Sequence, residues 1–433
     1  MIWVLLLVLF GFLFAGFSMK VPMIAAPIIL ILIYFPELDP VVLIQQYYAG
    51  LQSFVLLAVP MFIFAADIMS AGNTSKRLLD MISSFIGHIR GGYAITTAAA
   101  CTMFGSISGS TQATVVAVGK PMREQLLATG YKEKQAIPLI INASDLALMI
   151  PPSISMIMYA VVTGTSVGDL FIAGIFPGLL IFLMFAVYSY LLARLHNLQG
   201  REKKAPWQER LYTFKKAILP LGFPVIIIGG IYTGIFSPTE AAAVSVGYAF
   251  ILEVLVYQKL NLKDIPQIAE STAVVTAAVF ILVAAGTAMS WMLSYAKLPE
   301  AITDTVIGSD PSQTYVLFIV AVFFFIGCMF VDPLVVILIL TPIFFPVATE
   351  AGVDPIALGV IITLQAAIGS ATPPFGVDIF TAVAVFERPY TEIIRGSWPF
   401  ILILLFASAL FILFPELILI YEYFTPEASG GGT

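Results

Sequence analysis

The chain has 433 residues, of which 60% are hydrophobic and only 11% charged, too little polar surface to cover soluble domains of that total length. Its formal net charge of -6 identifies no partner, because in a membrane protein the information lies in the side on which each charge sits. The composition predicts an all-α polytopic membrane protein with no nucleic-acid partner.

A spanning helix needs roughly 20 mostly apolar residues. The apolar start at 1 to 17 lacks a basic leader and a small-residue cleavage site, so it reads as a retained first helix rather than a removed signal peptide. Further spans are expected at 21 to 35, 53 to 72, 135 to 163, 170 to 193, 217 to 236, 238 to 257, 270 to 296, 356 to 385 and 397 to 421, giving about ten transmembrane helices. Segments 93 to 119 and 314 to 347 are long and apolar but carry polar, Gly or Pro residues at their middles, and are expected to fold back as two re-entrant hairpins. Residues 196 to 216, basic and holding Pro206 and Trp207, read as an amphipathic connector at the cytoplasmic surface. A tail at 422 to 433 ends in a glycine-rich stretch. Cys101 and Cys328 have no metal or redox spacing and read as apolar packing residues.

Lys and Arg collect in cytoplasmic loops. With the first helix starting outside and both extra segments folding back, every Lys and Arg except Lys297 falls on one side. Making both hairpins into spans would move the basic loop 120 to 134 outward while Arg77 and Arg90 stayed inside. The hairpin layout puts both termini on the periplasmic side, with outer loops carrying Glu37, Asp39, Glu300, Asp304, Asp310, Glu350, Asp354 and Glu416.

The chain also repeats itself. Pro151, Pro152, Ala160, Val161 and Pro177 align without a gap, at one constant offset, with Pro373, Pro374, Ala382, Val383 and Pro399, and Gly105 meets Gly327 at the same offset. Each half holds five spans and a hairpin, and an odd number of spans makes the second half enter from the opposite side: two inverted repeats, 1 to 195 and 217 to 421, joined by 196 to 216. In the first, scaffold helices fill 1 to 72, the hairpin 93 to 119 and a broken helix 135 to 163. In the second they fill 217 to 296, 314 to 347 and 356 to 385.

Interrupted helices in matching positions of two inverted halves are the sequence pointer to a secondary transporter's binding site. The interruptions are the hairpin tip at 105 to 111 and the break NASDLALMIPPS at 142 to 153, then the tip GCMFVDP at 327 to 333 and the break GSATPPFGVD at 369 to 378. Non-helical backbone survives at membrane depth only where protein or a polar cavity satisfies it. There the carbonyls and hydroxyls of Ser106, Ser108, Ser110 and Thr111 can coordinate a small hard cation, while half-helix N-termini face an anionic solute. Pro151 and Pro152, like Pro373 and Pro374, free carbonyls about one turn upstream. The competing account is that small residues simply let helices pack closely. Asp145, Asp332 and Asp378 lie inside these breaks and no Lys or Arg lies deep in the membrane, so the site suits cations. Asp67, Glu240 and Glu253 sit nearer span ends, where exposure to water is expected.

Enzymatic readings fare poorly. SISG at 106 to 109 resembles a serine nucleophile turn, but His88 and His196 fall in cytoplasmic segments, out of reach as a general base. No phosphate-binding glycine loop with its Lys and Ser/Thr is present, so ATP hydrolysis in this chain would not drive transport.

FGSISGSTQATVVAVGKPM from Phe104, IPPSISMIMYAVVTGTSVGDLFIAGIFPGLL from Ile150 and ATPPFGVDIF from Ala371 together resemble the large membrane subunit of the TRAP transporters, the tripartite ATP-independent periplasmic systems, over about residues 20 to 421. The resemblance implies an elevator-type, Na⁺-driven importer in a bacterial inner membrane, with Na⁺ as the coupling ion and no other cofactor. It also implies two partners: a periplasmic binding protein that delivers a small organic acid, and a separate small four-helix membrane subunit. Family Na⁺ sites carry over onto Ser106, Ser108, Gly109 and Asn142 with Ile150, Pro151 and Pro152 in one half. In the other they fall on Gly327, Asp332, Gly369 and Thr372. The solute is then expected among Ser110, Thr111, Asp145 and Ser153 and, from the second half, Pro373, Pro374 and Asp378.

The chain departs from the family pattern twice. Ser144 and Asp145 stand where a Gly-Thr pair is common before Pro-Pro-Ser, and Gly376, Val377 and Asp378 where Gly-Leu-Asn is common after the second Pro-Pro. The two added acids either meet a positive part of a zwitterionic or hydroxylated solute, bind an extra cation, or belong to a polar network away from the solute. The alternatives to the tripartite importer are a stand-alone ion-coupled anion transporter without a binding protein and a channel.

Overall fold

The computed structural model describes residues 1–198, 200, 204–298, 308 and 311–424. Within them the chain is a set of helices joined by short loops. Glu300, Asp304 and Asp310 of the expected outer loop, Arg201 and Lys203 of the connector and the end of the tail lie outside the described residues.

Each half opens with apolar helices: Ile2–Phe14, Lys20–Tyr34 and Ala58–Ala71 in the first, Trp207–Tyr232, Pro238–Phe250 and Ile265–Tyr295 in the second. Local chemistry sets their ends. Ser237 and Glu240 form a capping box at the start of Pro238–Phe250, with Pro238 at a first-turn position where its missing N–H costs nothing. Among the described residues, seven helices are long and apolar enough to cross a membrane, or eight if the pair bent by 41° around residues 150 to 153 is one span. The first expected span is shorter than anticipated, with 13 residues, while the second has the expected length of 15; at 1.5 Å per residue they reach only about 20 and 22 Å.

Both expected hairpins form. Gly92–Ser108 turns at Gly109 and Ser110 into Thr111–Ala128, and Gln313–Phe330 turns at Val331 and Asp332 into Pro333–Glu350. The tips are narrower than the sequence suggests: Gly105, Ser106, Ser108 and Gly327 are all helical. Both broken helices form too. The first runs Glu133–Ser144, a single turn Leu146–Met149 and Ile154–Thr163; the second runs Pro355–Ser370 and Val377–Phe386. The Pro151–Pro152 and Pro373–Pro374 bonds are both cis. Asp378, expected within the break, sits in the first turn of the following helix. That helix ends one residue later than the gap-free pairing places it, since the left-handed C-cap residue is Gly164 in the first half and Glu387 in the second.

Three expectations need correction. The connector is not a separate surface helix: from Pro206 onward nothing interrupts the helical run, so Trp207–Tyr232 merges its end with the following span. Two short helices were not expected, Val41–Ala49 and the amphipathic Thr74–Ile86. Glu253 is not in water but fully buried at 0% exposure. Its carboxylate accepts from Asn73 N (2.9 Å), Thr74 N (3.1 Å) and Thr74 Oγ1 (2.5 Å), satisfying N–H groups at the start of Thr74–Ile86 that have no partner within their own helix. Asp67 is only partly buried and accepts from Thr272 Oγ1 at 2.6 Å, whereas Glu240 is exposed as expected.

The hairpins and broken helices make the most buried part of the fold. Pro355–Ser370 is buried at every position from 356 to 370, as a helix with apolar residues on every face must be, and its Thr363 and Gln365 are hydrogen-bonded. Tyr159 in the first broken helix donates to the Pro355 carbonyl at the start of the second (2.7 Å). At the basic end Glu133 receives Arg123, from the first hairpin, through two nitrogens, and Arg388, beyond the second broken helix, at 3.4 Å.

Candidate functional site

In each half the structure seats hairpin against broken helix at glycines. Gly109 takes a left-handed φ of 61°, and a Cβ there would run into the Pro152 carbonyl oxygen. One at Gly105 would lie 2.5 Å from Ala147 Cα. Gly369 lies against Cys328, where a Cβ would also come within 3.0 Å of the Phe325 carbonyl. Gly327 instead faces Val336 and Leu340 in the other arm of its own hairpin, and its carbonyl accepts from Val331 N at 2.9 Å.

In the first expected ion set Ser106 and Asn142 each donate to a helix carbonyl and leave a side-chain oxygen with free lone pairs. Ser106 Oγ donates to the Met103 carbonyl (2.7 Å). Asn142 Nδ2 donates to the Pro138 carbonyl (2.8 Å), leaving Asn142 Oδ1 buried without a partner. Ser108 is less free, lying 3.2 Å from Thr114 Oγ1 and 3.3 Å from the Ser110 carbonyl. In the second set Thr372 Oγ1 donates to the Ile368 carbonyl (2.6 Å). A hydroxyl whose one hydrogen is committed to a carbonyl offers only lone pairs. Ile150, Pro151 and Pro152 are buried in the break, where the imino acids supply no N–H and leave carbonyls one turn earlier without their usual donors.

Three helix starts converge on these breaks with side-chain caps. Ser110 Oγ accepts from Ala113 N (3.4 Å), Ser153 Oγ from Met156 N (3.3 Å) and Asp332 Oδ1 from Leu334 N (2.9 Å). Ser110 is therefore committed to its helix, donating as well to Gln112 Oε1 at 3.0 Å. Pro374 contributes its carbonyl to Tyr390 Oη (2.6 Å), with Pro373 beside it at 2 residues before the exposed Phe375.

The two halves meet at Asp378. It is 0% exposed; Oδ1 accepts from Thr111 (2.7 Å), and Oδ2 lies 2.7 Å from Ser370 Oγ, whose one hydrogen is shared with the Ala367 carbonyl (2.8 Å). Asp145, 1% exposed, stands close enough to interact with both Asp378 and Ser370, yet neither of its oxygens has a hydrogen-bond partner. Asp332 also acts electrostatically on Asp378. Among the described residues, the ion pairs Arg123–Glu133, Arg388–Glu133 and Arg388–Glu392 do not reach this cluster. Ser370 is not among the residues singled out from the sequence; the available signal is a hydroxyl one turn before Pro374 at the end of a mostly apolar helix.

Residues 6–417 match the family described as the tripartite ATP-independent periplasmic transporter, DctM component. The chain is 55% identical over 405 residues, covering 93% of it and 94% of the relative, to an ectoine/5-hydroxyectoine TRAP transporter large permease protein of Ruegeria pomeroyi. It is 54% identical to the ectoine TRAP transporter large permease protein of Halomonas elongata, covering 94% and 96%. A C4-dicarboxylate TRAP transporter large permease protein of Pseudomonas aeruginosa is 38% identical, covering 82% and 83%. In fold the chain is similar to the Alcanivorax borkumensis YdaH transporter, with a TM-score of 0.58 at 15% identity, covering 88% of each chain. The chain is a multi-span inner-membrane permease rather than an enzyme, and it belongs to the TRAP transporters as their large membrane subunit.

Proposed function

We propose that this permease imports a small carboxylate-bearing solute, zwitterionic like ectoine, using an inward Na⁺ gradient. A periplasmic binding protein delivers the solute, and a separate small four-helix subunit completes the membrane complex. The solute class rests on the two ectoine permeases, which match 93% and 94% of this chain. Ectoine is a cyclic amidine bearing a carboxylate, so one molecule carries both charges near neutral pH.

The observation that carries the coupling reading is Asn142 Oδ1, a buried oxygen with no partner, in the helix leading into a proline break. Hard cations take oxygen ligands, and the hydrogen-committed hydroxyls of Ser106 and Thr372 supply the same chemistry. On this reading Ser106, Asn142 and the carbonyls of residues 150 to 152 hold one ion, and Asp332, Thr372 and the carbonyls of Gly327 and Gly369 another. Bound Na⁺ supplies the positive charge that makes a carboxylate tolerable near Asp145, Asp332 and Asp378.

Transport then follows an elevator path, with two inverted repeats supplying one hairpin and one broken helix each. The Thr111–Asp378 and Tyr159–Pro355 bonds tie the first hairpin and both broken helices together, and on this reading that body moves with the second hairpin against the scaffold helices that open each half. The test is accumulation of labelled ectoine and succinate by cells expressing this chain, its small subunit and its binding protein. Ectoine accumulation well above succinate supports the reading. Succinate accumulation without ectoine would overturn the solute class.

A further inference from the structure

We infer that Asp145 and Asp378 form a two-carboxylate clamp for the positive group of the solute, so that this permease selects zwitterions over dicarboxylates within its own membrane domain. The inference rests on the proposed import of a zwitterion and adds the residues that recognise it.

Asp378 is held in place: Thr111 donates to Oδ1 at 2.7 Å, and Ser370 Oγ, 2.7 Å from Oδ2, shares its single hydrogen between that oxygen and the Ala367 carbonyl at 2.8 Å, setting the carboxylate between the first hairpin and the second broken helix. Both donors are neutral hydroxyls, so the charge is oriented but not cancelled. Asp145 comes from the other broken helix, 1% exposed, with both oxygens lacking any donor. A buried carboxylate without a partner is costly, and two of them together more so. Among the described residues no Lys or Arg forms an ion pair with either acid, and Asp332 adds further negative field at Asp378. The missing component is positive charge from outside the chain, a bound cation or a proton shared by the pair.

The form of the site favours an organic cation. A planar amidinium presents two N–H groups, and two carboxylates can each take one, the charge-assisted geometry that makes such pairs strong. Each Asp378 oxygen still has a lone pair after its hydroxyl bond, and all of those on Asp145 are unused. A dicarboxylate placed here would face two like charges, so the pair rejects it as well as attracting a zwitterion.

The experiment uses the complete complex, with small subunit and binding protein, in proteoliposomes. Initial ectoine uptake is measured against ectoine and Na⁺ concentration for the wild type, Asp145→Asn and Asp378→Asn. In parallel, thermal unfolding of the purified membrane complex is followed with and without acetamidinium, a bare amidinium probe. The inference predicts a KM for ectoine raised at least tenfold in Asp145→Asn, unchanged Na⁺ cooperativity, and acetamidinium stabilisation of the wild type that the variant loses. An unchanged KM would overturn it. So would a lowered Na⁺ Hill coefficient at constant KM, which would make the pair an ion site, or an effect confined to the pH profile, which would make it a proton site. If the wild type carries no ectoine, the solute reading fails alone, and the acetamidinium shift still decides whether the clamp binds an organic cation. Asp145→Asn is nearly isosteric, and an unchanged elution volume confirms that it folds.

Discussion

Thr111 Oγ1 donates a 2.7 Å hydrogen bond to Asp378 Oδ1, joining residues 267 positions apart in the chain. The bond ties the start of one hairpin arm to the helix after the second proline break, so it holds together parts contributed by both halves. Thr111→Val keeps the shape and removes the donor, leaving a buried carboxylate oxygen unsatisfied, a loss of about 1–3 kcal/mol. The purified complex should melt at lower temperature and transport more slowly, and Thr111→Ser should restore most of both.

Gly109 has a left-handed φ of 61° and no room for a side chain against the Pro152 carbonyl. Gly109→Ala should therefore abolish most transport, because the hairpin tip must lift from the break to admit even a methyl group. Gly16 offers the control: its φ of 84° is also left-handed, but nothing lies within 4 Å of a Cβ there. Gly16→Ala should cost only the backbone penalty of about 1 kcal/mol, with uptake close to wild type.

Glu253 anchors the amphipathic helix Thr74–Ile86 through three hydrogen bonds from Asn73 and Thr74. Glu253→Ala should lower stability by about 2 kcal/mol or more, since it removes a buried acceptor from two backbone donors. The residue lies in the scaffold, far in sequence from the breaks. The expected signature is a lower melting temperature with an unchanged KM.

The pairing of Arg123 and Arg388 with Glu133 spans three elements, but these side chains remain 20%, 43% and 29% exposed. Ion pairs of this kind contribute about 0–1 kcal/mol. Glu133→Gln should shift the melting temperature only slightly, and less at high salt, where screening has already weakened the pairs.

The hairpins and breaks were legible because Gly, Ser and Pro at membrane depth have few explanations, and the TMFGSISGSTQAT and TPPFGVD stretches place them within a few residues. Their exact turns were not: Ser106 stays helical with its hydroxyl bonded back to the Met103 carbonyl, and the helix ends only at Ser108, whose hydroxyl meets the Ser110 carbonyl past the turn. The amphipathic helix at 74 to 86 was masked by its low apolar content, although Leu78, Leu79 and Ile82 mark a buried face. Glu253 looked like a span-end acid, and only the tertiary approach of Thr74 shows why it is buried. Asp145 and Asp378 stand out in the sequence as unusual acids in separate breaks; that both come within reach of Ser370 and of each other is set by how the two halves pack, which no local pattern records.

The measurement that tests the account most directly is ectoine uptake into proteoliposomes holding this chain with its small subunit, with and without an inward Na⁺ gradient and with and without the binding protein. The account predicts concentrative, saturable uptake only when both gradient and binding protein are present. Equal uptake without the binding protein would identify a stand-alone transporter, and non-saturable flux independent of the gradient would identify a channel; either result would contradict the tripartite, sodium-driven reading.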